Sequence, residues 1–143
     1  MIGIFQRLRG DRSGSTIIEF AILAPVIVTM FMGILQVGIW MQSYNALRSV
    51  AADAGRYTTV QYQLSNRIDN HAMATWARDR GIDHYNFKSA DFSTDVTTAA
   101  NQRIVGVTEL TLTLTYKYKS YLTYIGVTDP NVTFSRPIFI KAA

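Results

Sequence analysis

Between Phe20 and Met41 the chain carries no charged side chain, and only Thr29 and Gln36 are clearly polar. Coiled as a helix, this stretch would be about 33 Å long, close to the hydrocarbon thickness of a bilayer. A core helix of that length would turn a polar face to water, and this run has none. It is expected to span a membrane at about residues 20–41, and the rest of the chain must be arranged around it.

The chain has 143 residues, so what remains outside the span suffices for one small core. It has no cysteine, which removes disulfides, thiol nucleophiles and thiolate metal sites. The net charge of +4 is split between the two ends of the apolar run. Arg7, Arg9 and Arg12 against Asp11 leave +2 before it, and the rest of the chain carries the other +2. A nucleic-acid binder would cluster its basic residues on one face, so nucleic acid is not an expected partner.

Arginines directly before a span hold that end in the cytoplasm, so the C-terminal part is expected outside. A cleaved secretory signal is the competing reading, but the apolar stretch is longer than a signal core and no A-x-A-like site closes it. Beyond the span, Tyr44, Leu47, Ala51, Ala54 and Tyr57 recur at spacings of three and four, an amphipathic helical face. Asn45, Arg48, Ser49, Asp53 and Arg56 fall between them. No proline intervenes, so the spanning helix is expected to continue as a stalk to about residue 60.

A second helix is expected at about Arg67 to Arg80, with Asn66 as N-cap, Asp69 three residues on and Gly81 as the stop. Ile68, Ala72 and Trp76 would form its packed face. Ile82 to Asn101 reads as irregular, with a short strand around His84 to Lys88. From Val107 to Lys119, Leu110, Leu112, Leu114, Tyr116 and Tyr118 alternate with threonine, lysine and glutamate, a strand with one buried face. Tyr121 to Asp129 connects it, through Asp129-Pro130-Asn131, to a last strand carrying Val132, Phe134, Ile138 and Ile140, which Pro137 would confine to an edge or end locally. The fold class is therefore α+β: a long N-terminal membrane-spanning helix and stalk, then a small domain with one further helix and a two- to three-stranded antiparallel sheet.

One charge opens the apolar run. Glu19 lies at its cytoplasmic edge, where a carboxylate either touches headgroups or awaits a cation in the membrane plane. Gly14-Ser15-Thr16-Ile17-Ile18-Glu19-Phe20, after a basic leader, resembles a type IV prepilin processing site, in which a membrane peptidase cuts after the glycine. The chain as a whole resembles the TadE-like proteins of tight-adherence (Tad, type IVc) pilus systems. Ala51-Ala52-Asp53-Ala54-Gly55-Arg56 is similar to their stalk, and Leu110 to Tyr118 with Tyr121 to Gly126 fit the outline of their C-terminal part.

The resemblance implies a pilin-like chain with a leader at 1–14, a helix at 15–62 and an extracytoplasmic domain at 63–143. Gly14 and Ser15 would be the processing site, and Glu19, Phe20 and Pro25 would serve assembly. The implied partners are a prepilin peptidase, other pilins or pseudopilins of the system, and the bacterial inner membrane, with a surface pilus as a later location. The implied function is that of a minor pilin or pseudopilin, with an uncleaved single-pass protein bearing a partner-binding domain as the alternative. Ser15 stands where many type IV pilins carry phenylalanine. Inside a bundle of such helices, the freed amine at Ser15 would answer Glu19. Pro25 takes away the hydrogen bond to the Ala21 carbonyl, so a kink or local melting is expected there.

No enzymatic constellation is present in the sequence, and no cofactor is expected. Asp69, His71, Asp83 and His84 are metal-ligand types without a tight motif. Asp53 and Glu109 stand singly and read as solvated charges. Tyr116, Tyr118, Tyr121 and Tyr124, interleaved with Lys117 and Lys119, suit a strand face better than a base-stacking platform.

Overall fold

The structure, a computed structural model, describes residues 13–64 and 66–141. Most of the expected leader lies outside the described residues. Helix α1 runs from Ser13 to Gln63, about 75 Å at the α-helical rise. It continues unbroken through Pro25, so the expected local melting does not occur. Helix α2 spans Asn70–Tyr85. Strands β1 (Phe92–Thr98), β2 (Val107–Lys117) and β3 (Asn131–Lys141) form one antiparallel sheet in the order β1-β2-β3.

The alternation of β2 sets the layers. Leu110, Leu112 and Leu114 are buried, with Val96 opposite Leu112 on β1 and Ile138 opposite Leu110 on β3. The second half of α1 and all of α2 cover this face. From α1 come Leu47, Val50, Ala51 and Ala54, all fully buried. The amphipathic reading of the stalk holds, although Tyr44 and Tyr57 flank the core. Tyr44 meets Phe134 edge-on, and Tyr57 stacks on Trp76 at 4.3 Å. Two polar residues lie on the same buried face, and each donates to the carbonyl four residues back: Ser43 to Ile39 and Thr58 to Ala54.

The second helix differs from expectation at both ends. Asp69, not Asn66, is its N-cap, accepting from the Ala72 amide at 2.6 Å. Asn66 instead donates to the Gln61 side chain. Gly81 does not stop the helix; Asn86 does, in the left-handed region at φ 57°, and the Phe87 amide reaches back to the Gly81 carbonyl. Gly81 is needed for proximity. A Cβ there would lie 2.3 Å from Phe92 Cε1, so only glycine lets α2 settle onto β1. The buried face of α2 is Met73, Ala77 and Gly81. It is turned from the expected Ile68, Ala72 and Trp76, of which Ala72 is exposed and the other two are half-buried.

The expected strand at His84 to Lys88 is absent, because His84 and Tyr85 complete the last turn of α2. The first strand instead begins at Phe92. Pro137 lies on an edge strand opposite Thr111, and β3 continues past it. An edge position tolerates proline because no third strand needs its missing N–H.

Neither Asp53 nor Glu109 is a solvated single charge. Asp53 accepts from Arg80 Nε at 3.0 Å and from the Tyr85 hydroxyl at 3.3 Å, tying α1 to α2. Glu109 is buried and held by the fork of Arg103, whose Nε lies 2.9 Å from both carboxylate oxygens. This pair straps the β1–β2 loop to the sheet, with the guanidinium also over the Phe139 ring. The hydrogen bond from Arg103 holds the Glu109 carboxyl below its usual range against the opposing effect of burial, and Arg103 is raised in turn.

Candidate assembly helix

The first half of α1 receives little cover from the domain. Its most apolar 18-residue window has a mean hydropathy of 2.3 and none of it is buried. Phe20 and Ile34 are each 68% exposed. A helix apolar all round cannot remain in water, so this one is long and apolar enough to cross a membrane and needs lipid or other helices around it.

The sequence-expected site residues all lie on this segment. Gly14 and Ser15 fall in the first described turn of α1. Glu19 is exposed one turn further on and forms no ion pair with any described residue. Phe20 and Pro25 are exposed as well. The structure thus places these residues along one helix end but gives them no common pocket. What they offer is a carboxylate and an apolar surface. The Pro25 carbonyl accepts from the Thr29 hydroxyl at 2.7 Å, a bond internal to the helix.

A second feature of α1 was not expected from the sequence. Beyond Pro25, the half-buried positions are Thr29, Gly33, Gln36 and Ile39, a single stripe at spacings of three and four that leads into Ser43 and Leu47. The cover over its polar members comes from the β2–β3 connection. Gln36 Oε1 accepts from the Ser120 hydroxyl and from the Tyr121 amide, each at 3.2 Å. Thr29 Oγ1 lies 3.3 Å from the Tyr124 hydroxyl. The signal for this was the presence of two isolated polar residues, seven apart, in an otherwise apolar run.

Of the metal-ligand types, Asp69 caps α2, while His71, Asp83 and His84 are exposed on its surface. The described residues contain no group of three or more histidines and carboxylates placed to hold a metal ion.

The family model of TadE-like proteins matches residues 14–56. The match opens at Gly14 and closes at Arg56, so it covers the apolar half of α1 and most of the stalk. The sheet domain lies outside it. No curated protein and no solved structure matches the chain.

Proposed function

We propose that this chain is a non-enzymatic minor pilin or pseudopilin of a Tad pilus system. In this reading a prepilin peptidase cuts it between Gly14 and Ser15, and it joins or primes the pilus from the inner membrane. The carrying observation is that the TadE-like match begins at the glycine of the processing pattern and covers an apolar helix whose surface is left open. The TadE-like match over residues 14–56 supports involvement in a Tad pilus system; cleavage, topology and the minor-pilin role go beyond it.

The mechanism follows from the helix. In the bilayer, lipid tails satisfy its apolar surface; on extraction, helices of neighbouring subunits must replace them. Glu19 would then be desolvated, and the amine freed at Ser15 of a neighbour supplies the counter-charge. Phe20 would pack beside that pair. Pro25 leaves the Ala21 carbonyl without its intrahelical donor, a local weakness in a helix that must change surroundings.

Intact-mass measurement on the native protein tests the processing step. The expected species begins at Ser15, and Gly14→Val should abolish it by crowding the scissile bond. A full-length chain as the sole species beside an active prepilin peptidase would refute the pilin reading in favour of an uncleaved membrane protein with a partner-binding domain. Glu19→Ala should leave cleavage intact and lower incorporation into purified pili, since breaking a buried pair costs on the order of 3–5 kcal/mol.

A further inference from the structure

The expected span of residues 20–41 contains two polar side chains, and both are hydrogen-bonded to the same distant loop. Gln36 holds the start of the β2–β3 connection through Ser120 and Tyr121, and Thr29 meets the Tyr124 hydroxyl. Thr29 lies about 10 Å along the helix axis from Gln36, on the same side. A loop bound at both levels must lie beside the helix wherever the helix goes. We infer that the connection from Ser120 to Thr128 is a membrane-immersed wedge, seated in the lipid of the leaflet on the domain side, with α1 as its support.

The chemistry of the loop fits lipid. Ser120 to Thr128 contains no charged residue; Lys117, Lys119 and Asp129 stand at its base. Tyr121, Tyr124 and Ile125 are more than half exposed. In water this would be an unpartnered apolar patch on an extracytoplasmic surface. At a membrane interface, tyrosines with apolar rings and polar tips are the favoured residues.

The backbone is prepared for the same place. Lipid offers no hydrogen bonds, so irregular chain there must satisfy its own groups, and six of the nine amides from Ser120 to Thr128 are bonded within the chain. The Ser120 amide donates to Asp129 Oδ1, Tyr121 to Gln36, and Leu122 to Ser120 Oγ. A 3-10 turn at Thr123–Ile125 closes the tip, with the Ile125 and Val127 amides on the Leu122 carbonyl and the Gly126 amide on that of Thr123. Gly126 makes this closure possible by adopting φ 87°, which a side chain would resist. The depth is that of interfacial segments, which bury about 5–10 Å. It also refines the span: the hydrocarbon stretch on α1 runs from about Ile17 to Gln36, roughly 28 Å, rather than to Met41.

This inference rests on α1 crossing the bilayer, and the test separates the two. The chain contains no cysteine, so single cysteines report cleanly. Ile125→Cys probes the loop, Val26→Cys the span, and Val105→Cys, at a fully exposed position of the β1–β2 loop, the aqueous phase. The full chain in proteoliposomes is treated with a membrane-impermeant maleimide. Ile125→Cys should react at least about tenfold more slowly than Val105→Cys, a protection that immersing an isoleucine-sized side chain sustains.

A nitroxide on the same cysteine should relax more with oxygen than with a water-soluble nickel chelate, as a lipid-facing site does and a protein-buried one does not. Rapid labelling of Ile125→Cys with Val26→Cys protected would overturn the wedge alone. Low access to both relaxants, meaning cover by protein, would do the same. Rapid labelling of Val26→Cys would overturn the span and the wedge together.

Discussion

The two halves of α1 are one continuous helix with opposite surroundings. Up to Met41 most of its apolar side chains stand open, whereas Leu47, Val50, Ala51 and Ala54 are sealed completely. Backbone geometry is common to both halves, so the difference lies in the side-chain pattern. The second half concentrates its apolar residues on one face with polar ones between, and its alanines let the sheet approach. The first half is apolar on nearly every side, and outside the narrow stripe under the β2–β3 connection the single small domain does not cover it. The stalk finds its partners within the chain; the first half needs lipid or neighbouring subunits.

Substitutions sharpen this contrast, and the fluorescence of Trp76, stacked on Tyr57 between α1 and α2, supplies the readout in a Trp40→Phe background. Leu47→Ala should lower the stability of the domain by about 2–5 kcal/mol in urea titrations of the full chain in micelles. Leu35→Ala, the same change on the exposed half, should stay within about 0.5 kcal/mol. Comparable losses from both would erase the distinction between the halves.

Gly81→Ala should cost about 1–3 kcal/mol, because the added methyl meets the Phe92 ring and must displace it. Recovery in the double variant with Phe92→Leu would assign the loss to that contact. A smaller effect belongs to the tie between α1 and α2. Both partners of the Asp53–Arg80 pair are partly solvated, so the coupling in a double-mutant cycle with Asp53→Asn and Arg80→Gln should be about 0.2–1 kcal/mol.

The smallest expected effect is pH-dependent. Glu109 has a lowered folded-state pKa, chiefly through the hydrogen bond from Arg103. Its contribution is therefore complete above the unfolded carboxylate pKa and is lost as pH falls through the lowered folded value. Arg103 stays charged throughout, its pKa raised further by the hydrogen bond to Glu109. The urea midpoint should thus fall on the acid side of about pH 4, and Glu109→Gln should remove that component. An unchanged acid limb would detach Glu109 from it.

Much of this was legible in the residues themselves. The alternation from Leu110 to Leu114 and the spacing of Leu47, Ala51 and Ala54 each describe one buried face, and those faces meet in the structure. The first strand was harder to read. Phe92, Thr94 and Val96 do alternate toward the helices, but two large apolar residues among serine, threonine and aspartate give a weak periodic signal. Gly81 was misread because glycine serves both helix ends and close contacts. Only the position of Phe92 decides which.

Hydropathy alone determined that the first half of α1 needs an apolar environment, because a helix without a polar face has no other stable state in water. It also determined which side of β2 is buried, because a period of two admits only two choices. The processing pattern around Gly14 is likewise a local string. The tertiary structure decided the pairings: Asp53 with Arg80, Glu109 with Arg103, and the β2–β3 connection with Thr29 and Gln36. These contacts join residues distant in sequence, and no local pattern encodes a partner that the folding of the intervening chain must first bring within hydrogen-bond distance.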